Sequence, residues 1–305
     1  MRLNSMKHVL EKAKRGKYAV GQFNFYNIES AVAIINAAKK LRSPVILGAT
    51  EKAIEYGGLE NLVCIVKNLA KDAKIPVVLH LDHGTDEKLI RKCVRKGFTS
   101  VMIDASHYDF KKNVRLTKRV VDYAHEKNAS VEAELGQLKG CEDGISSDKN
   151  IYTDPETARE FAEKTGVNSL AVAIGTSHGA YKFSGRAKLK FCVLKEIRKN
   201  VQIPLVLHGA SSVYSKYVNK ANKFGAKIEN ACGVGDATLK RAVKEGIQKV
   251  NTDTDLRLAY TAAVREFLHK NPDKFDPRKI NSPAIEEMQK LVEHKIKILG
   301  SDRKA

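Results

Sequence analysis

Residues 75–105 read IPVVLHLDHGTDEKLIRKCVRKGFTSVMIDA and contain one complete unit of the predicted fold. The unit opens with an apolar run at 75–82, continues into an amphipathic segment at 86–96, and closes with a second apolar run at 100–105. Runs with little polar alternation are typical of strands covered on both faces, and a helical crossover is what parallel strands need. The stretch therefore predicts a strand, a helix and a second, parallel strand.

The same unit recurs along the whole chain. The predicted strands are 19–25, 43–50, 75–82, 100–105, 130–136, 169–175, 203–209 and 249–254, and the helical patterns between them include 28–41, 59–73, 86–96, 113–127 and 155–165. A doubly wound sheet usually needs fewer repeats, whereas a (β/α)8 barrel needs eight. We expect an α/β fold, a single TIM barrel over residues 1–305, with an extra C-terminal helix at 282–299 packed outside it.

Composition excludes several classes of protein. The five cysteines form no C-x-x-C pair, which argues against a disulfide framework and favours a reducing, cytoplasmic environment. No apolar run approaches the ~18 residues of a membrane span or forms a secretory signal. The formal charge of +19 is spread along the chain without a basic block, so we expect no nucleic-acid partner and instead a field that attracts anionic substrates.

Polar residues stand at the predicted carboxyl-terminal ends of nearly all eight strands. They are Asn24, Thr50, Asp82, His83, Asp104, Glu134, Ser177, His178, His208, Asn251, Thr252 and Asp253. In an α/β barrel these ends open onto one face, where catalytic groups gather. The strand ends therefore predict a catalytic mouth.

Three histidines at these ends are His83, His178 and His208. Three imidazoles with one vacant position are typical of a catalytic Zn²⁺ site, although Co²⁺ or Fe²⁺ would also suit them. Asp82 lies beside His83 and is a candidate general acid/base. Asp104 and Glu134 end neighbouring strands and could orient the histidines or bind a second divalent ion.

Loops after the later strands carry small residues that suit an anion. Gly179 follows His178, the run Gly209, Ala210 and Ser211 follows His208, and Asn251, Thr252, Asp253 and Thr254 end the last strand. Small residues let backbone N–H groups approach a phosphate. The glycine-punctuated stretch 136–144 could be a mobile flap that brings Glu142 into the site, and Arg278 could bind a second phosphate.

None of the eight strand ends carries a lysine, because Lys249 is predicted to begin its strand. Schiff-base chemistry is therefore not expected, and a metal ion is left as the electron sink.

Five motifs resemble those of the class II, zinc-dependent ketose-bisphosphate aldolases. They are LHLDHG at 79–84, VEAELG at 131–136, AIGTSHG at 173–179, VLHGAS at 206–211 and VNTDTD at 250–255. The likeness extends from Gly21 to Arg278. It implies reversible aldol cleavage of fructose 1,6-bisphosphate to dihydroxyacetone phosphate and glyceraldehyde 3-phosphate, a glycolytic and gluconeogenic reaction.

The resemblance also implies roles for single residues. Zinc would be held by His83, His178 and His208, a second ion by Asp104 and Glu134, and the C4 hydroxyl proton would be exchanged by Asp82. Glu142 would exchange a proton on the dihydroxyacetone phosphate half, which Gly179, 209–211 and 251–254 would bind. Arg278 would reach a neighbouring subunit, since members form dimers or tetramers and are often activated by K⁺ or Na⁺.

Two alternatives remain open from the residues. Tagatose 1,6-bisphosphate differs from the fructose compound only at C4, and Ser177 within 175–183 looks more like the fructose-type members. A zinc-dependent barrel hydrolase would also use histidines at strand ends. Its usual pair of histidines one residue apart on the first strand is missing, because that strand reads Phe23, Asn24, Phe25.

Overall fold

A computed structural model describes residues 3–136, 139–142, 145–147, 152–178 and 189–305, with backbone only for 139–142, 145–147 and 178. The helices are α1 (Met6–Gly16), α2 (Ile28–Lys40), α3 (Glu51–Gly57), α4 (Leu59–Lys71), α5 (Glu87–Lys96), α6 (Phe110–Glu126), α7 (Pro155–Thr165), α8 (Phe191–Asn200), α9 (Ser215–Lys223), α10 (Asp236–Glu245), α11 (Thr254–Lys270) and α12 (Pro277–Leu299). The strands are β1 (Val20–Asn24), β2 (Val45–Ala49), β3 (Val77–Gly84), β4 (Ser100–Ile103), β5 (Ser130–Leu135), β6 (Lys139–Glu142), β7 (Ile145–Ser147), β8 (Ser169–Val172), β9 (Ser177–His178), β10 (Leu205–Leu207) and β11 (Ile247–Thr252).

Eight of these strands close into a parallel barrel in the order β1-β11-β10-β8-β5-β4-β3-β2. Most of their residues are buried, because the interior is filled by side chains and the outer face is covered by helices. The predicted (β/α)8 barrel is confirmed. The predicted additional C-terminal helix is confirmed as α12, which packs against α2 and α11 outside the barrel.

Local sequence explains where several helices begin and end. Asp86, Asp109, Asp154 and Asp276 each accept a backbone N–H of the first turn as N-cap, and Pro155 and Pro277 follow two of them. Glycines in the left-handed conformation end α5, α7, α10 and α12. These caps tie the helices to the short loops that join them to the strands.

Some predicted boundaries were wrong. The last barrel strand starts at Ile247, so Lys249 is its third residue and not its first. The C-terminal helix starts at Pro277 and not at Ser282, because Asp276 caps it and Pro283 is accommodated inside it. The short helix α3, which follows Thr50 directly, was not predicted.

Helix α1 was also missed, and it closes the amino-terminal end of the barrel. Its apolar residues Met6, Leu10 and Ala13 form a cluster with Val20 and Val78 from the strands. Burial of this face orders the amino-terminal segment, although its surface is dense in lysine. The barrel is therefore plugged at one end, and its polar interior is accessible from the other end, the mouth.

A second, three-stranded sheet lies outside the barrel. Strands β6 and β7 form an antiparallel hairpin, and β6 also runs parallel to β9, with Gly140 opposite His178. Within the stretch 136–144, which was predicted to be a mobile flap, residues 139–142 therefore form the central strand of this sheet. No helix in the described ranges has the length and apolarity required to cross a membrane.

Candidate active site

A bulge in β3 directs two adjacent side chains into the mouth. Pairing with β4 shifts by one residue between Leu81 and Gly84, and His83 has a positive φ of 49°. Neighbouring residues of a regular strand point to opposite faces, and a bulge changes this direction locally. A positive φ is costly for a non-glycine residue, and such backbone strain is typical of functional sites. It places Asp82 and His83 side by side.

Asp82 is held by one amide from each of two neighbouring strands. Asn24 Nδ2 donates to its Oδ2 at 2.9 Å, and Asn251 Nδ2 donates to its Oδ1 at 3.0 Å. Burial by itself raises the pKa of Asp82, but the charges of His83 and Lys249 outweigh it and lower the pKa to about 2. The carboxylate is therefore ionised at neutral pH and fixed in orientation.

His83 is oriented by a carboxylate of the next strand end. Its Nδ1 lies 2.7 Å from Oδ2 of Asp104, whose other oxygen accepts hydrogen bonds from Ser106. Burial lowers the pKa of His83, but the hydrogen bond to Asp104 and the charge of Asp82 raise it to about 10. Asp104 thus binds one ring nitrogen, Nδ1, and Nε2 is the second possible ligand atom of this histidine.

His208 lies between two glutamates of β5. Its Nδ1 is 2.9 Å from Glu134 Oε2 and its Nε2 is 2.8 Å from Glu132 Oε1. Burial lowers the pKa of His208, and the bonds to Glu132 and Glu134 outweigh it and raise the pKa. The ring centroid of His208 is 4.6 Å from that of His83. The ends of β3 and β10 therefore bring two predicted metal ligands, His83 and His208, together.

These side chains form two overlapping sets that fit a divalent cation. One ligand atom from each of Asp82, His83 and His208 lies within 4.8 Å of the others, and the same holds for His83, Asp104 and Glu134. Nitrogen and carboxylate oxygen donors suit zinc and its neighbours in the transition series. The carboxylates around both rings favour positive charge there, which a cation bound by neutral imidazoles would supply. The donor set therefore fits a metal ion.

Two further predicted residues are described only through their backbone. His178 is in β9, directly after the end of the sixth barrel strand, and Glu142 ends β6, the strand paired with β9. Their side chains, and Gly179 altogether, lie outside the described residues.

The loop after β10 presents backbone donors at the mouth. The N–H groups of Ser212 and Val213 donate to Asp255 at 2.8 and 2.7 Å. Those of Gly209, Ala210 and Ser211 have no acceptor within the described part of the chain. Three successive free N–H groups beside a buried histidine can receive a phosphate oxygen.

Neighbouring elements hold this loop in place. Lys295 of α12, which is fully buried, pairs with Asp255 at 3.0 Å and donates to Ser212 Oγ at 2.7 Å. Ser211 Oγ accepts the N–H of Asp253 at 3.2 Å, which joins the loop to the end of β11. The predicted loops 209–211 and 251–254 are therefore adjacent.

The remaining predicted residues differ in location. Thr50 is buried after β2 and caps α3 through its hydroxyl oxygen. Arg278 is 89% exposed and pairs with Asp276, the N-cap of α12, so within this chain it does not join the cluster.

Lys249 was missed as a site residue. It is fully buried inside the barrel, where Nζ donates to Glu132 and to Asn251, both at 2.8 Å. Its spacing of two from Asn251 puts both residues on one face of β11, and this period could have identified it. An amine held in an ion pair lacks the free electron pair that Schiff-base formation requires, so this lysine does not suit the role of a nucleophile.

Another cavity, of about 630 Å³, lies at the amino-terminal end of the barrel. Its cationic side chains are surface residues at or near helix carboxyl ends, among them Lys14, Arg198 and Lys244. Cations there stabilise helix dipoles. The cavity shares no lining residue with the histidine and carboxylate cluster, so the mouth remains the candidate active site.

Comparison with known proteins identifies one family over nearly the whole chain. A family model described as fructose-bisphosphate aldolase class-II matches residues 4–304. The fructose-bisphosphate aldolase of Thermus caldophilus is 50% identical over 295 residues, 96% of each chain. That of Geobacillus stearothermophilus is 44% identical over 308 residues, covering 100% of this chain and 99% of the relative. The crystal structure of the YdjI aldolase from Escherichia coli K12 is 33% identical, with a TM-score of 0.81 and full coverage of both chains.

Proposed function

Because the chain belongs to the class II fructose-bisphosphate aldolase family, we propose that its mouth catalyses the reversible, zinc-dependent cleavage of fructose 1,6-bisphosphate. The products are dihydroxyacetone phosphate and glyceraldehyde 3-phosphate. The observation that carries the assignment of roles is the buried Asp82 carboxylate, fixed by two amides beside the His83 and His208 rings. The family match leaves no support for the barrel hydrolase.

Asp82 is the proton acceptor for the C4 hydroxyl. Its low pKa keeps it in the ionised form that a general base needs, and the amides of Asn24 and Asn251 occupy one lone pair on each oxygen. Removal of this proton accompanies cleavage of the C3–C4 bond. In the condensation direction the same group returns the proton to the new hydroxyl.

The metal would be held by His83 and His208, with His178 as the third ligand, and Asp104 and Glu134 would take a second divalent ion; the two clusters of nitrogen and carboxylate donors support this. When bound, the ion supplies a Lewis acid that polarises the ketose carbonyl and stabilises the electrons left on C3. Asp104 and Glu132 hold the two described rings by hydrogen bonds. A monovalent K⁺ or Na⁺ would add charge next to the substrate phosphate.

The phosphate of the dihydroxyacetone half binds at the loops 209–211 and 251–254, with Gly179 next to them. The N–H groups of Gly209, Ala210 and Ser211, which have no acceptor among the described residues, support this placement. Glu142, on the hairpin beside β9, returns a proton to the same half of the substrate. Arg278 serves the second phosphate of a neighbouring subunit in a homodimer or homotetramer, which agrees with its exposure.

Kinetics with and without metal tests this function. We expect cleavage of fructose 1,6-bisphosphate to be lost after complete chelation and restored by Zn²⁺, with a lower kcat/KM on tagatose 1,6-bisphosphate. Activity that survives full metal removal, or a borohydride-trapped adduct between substrate and a lysine, would contradict the metal-dependent mechanism. A higher kcat/KM on the tagatose epimer would reassign the substrate and leave the mechanism intact.

A further inference from the structure

Lys249 lies at the branching point of a buried hydrogen-bond chain. Its Nζ, with no solvent exposure, donates to Glu132 Oε1 and to Asn251 Oδ1, both at 2.8 Å. The same oxygen of Glu132 lies 2.8 Å from His208 Nε2, and Asn251 Nδ2 donates to Asp82 Oδ1 at 3.0 Å. One ammonium group therefore connects the proton acceptor with a metal ligand.

An ammonium group can only donate, and this fixes the orientation of Asn251. The side-chain amide of Asn can rotate by half a turn, which exchanges its oxygen with its NH₂ group. Because Lys249 requires an acceptor, Oδ1 must face Nζ, and Nδ2 is then directed at Asp82. The reversed amide would place its oxygen against the Asp82 carboxylate.

The second branch fixes the orientation of the His208 ring. Glu132 is fully buried, and Lys249, His208 and Ser169 all direct donors at its two oxygens. An ionised carboxylate only accepts, so Nε2 of His208 donates to Glu132, and this bond fixes the direction of the ring. Nδ1 faces Glu134, on the side of the predicted metal ions. A partner that fixes a ligand ring in this way increases metal affinity.

We propose that Lys249 is a positioning residue for the aldolase reaction, which sets the amide orientation of Asn251 and, through Glu132, the orientation of the His208 ring, and so aligns the proton acceptor with the metal site. The proposal rests on the function proposed above. It assigns no direct contact between Lys249 and the substrate.

The variant Lys249→Met tests the proposal, with two readouts. We expect zinc affinity of the apoprotein, measured by competition with a chelator, to fall by about 10- to 100-fold. In the zinc-saturated enzyme, kcat should fall by about 10-fold or more while KM changes less, because Lys249 donates to Glu132 and Asn251 and not to the phosphate loop of Gly209, Ala210 and Ser211. Unchanged zinc affinity together with unchanged kcat would overturn the proposal.

Lys295→Met is the matched control, since Lys295 is also fully buried and paired with a carboxylate, Asp255. A general effect of losing a buried ion pair would lower the stability of both variants and change zinc affinity equally. We expect zinc affinity to fall only in Lys249→Met, and an equal fall in both variants would contradict a specific role.

A second variant tests the proposal if Lys249→Met does not fold. The double change Lys249→Met with Glu132→Gln leaves no buried charge without its partner. We expect weaker zinc binding and lower kcat here as well, and wild-type values of both would overturn the proposal. The zinc measurement needs no substrate, so it remains informative even if the wild-type enzyme fails to cleave fructose 1,6-bisphosphate.

Discussion

At the scale of single residues, the site depends on carboxylates whose oxygens accept hydrogen bonds from neighbouring side chains. Asp82 accepts one amide on each oxygen, Asp104 binds His83, and Glu132 is shared by His208 and Lys249. Each partner favours the charged form of the carboxylate and limits its rotation. The carboxylates are therefore held in fixed orientations before any ligand binds.

Changing Asp82 to Ala should remove the proton acceptor and keep the histidine ligands. We expect kcat to fall by ~100-fold or more, as is usual for loss of a general base, with zinc still bound at the wild-type stoichiometry. Steady-state kinetics and metal analysis of the same preparation check both parts. Near-wild-type turnover would exclude Asp82 from proton transfer.

At the scale of elements, irregular segments at the barrel rim direct the side chains. The bulge in β3 brings Asp82 and His83 to one side, and the hairpin β6–β7 lies against β9 through Gly140 and His178. Loop 209–213 is fixed by Asp255 and by Lys295 of α12. The outer helix α12 thus contributes to the geometry of the phosphate loop.

Gly209 is where two of these elements approach most closely. Its φ is 58°, and a Cβ at this position would lie 2.6 Å from the carbonyl oxygen of Ser177. Backbone atoms cannot rotate away as a side chain can, so Gly209→Ala should displace the loop after β10 from β9. We expect a lower Tm and a KM for fructose 1,6-bisphosphate raised by about 10-fold, corresponding to ~1.4 kcal/mol of lost binding.

Gly235→Ala is the control for this change. Nothing lies within 4 Å of a Cβ built on Gly235, and its φ of −69° suits any residue. It is the N-cap of α10, where alanine is a poorer cap than glycine, so we expect a loss of stability of about 0.5–1 kcal/mol without a change in KM. An unchanged KM in Gly209→Ala, or the same increase in both variants, would contradict a role for the close approach to Ser177.

At the scale of the whole molecule, the net positive charge and its location on the surface suit an anionic substrate. The chain carries 54 Lys and Arg against 35 Asp and Glu, while the charged residues inside the mouth are largely carboxylates and histidines. A positive surface field attracts a bisphosphate from solution over a distance set by ionic strength.

We expect kcat/KM for fructose 1,6-bisphosphate to fall by about 10-fold as the salt concentration rises from 10 mM towards physiological values and beyond. In the same salt series kcat should stay nearly constant, because the buried site is screened much less than the surface. Initial-rate assays at low and at saturating substrate measure kcat/KM and kcat separately. A flat kcat/KM would show that the surface charge does not steer the substrate.

The sequence alone was sufficient for the barrel and for most of the rim. Apolar runs at a regular interval specify parallel strands, and polar residues at their ends specify one catalytic face, since both signals are local and repeat eight times. The bulge that turns Asp82 and His83 together, the burial of Lys249 between Glu132 and Asn251, and the packing of α1 into the barrel were decided by tertiary structure. Each depends on strands distant in sequence, whose register and close approach are properties of the closed barrel and of no single segment.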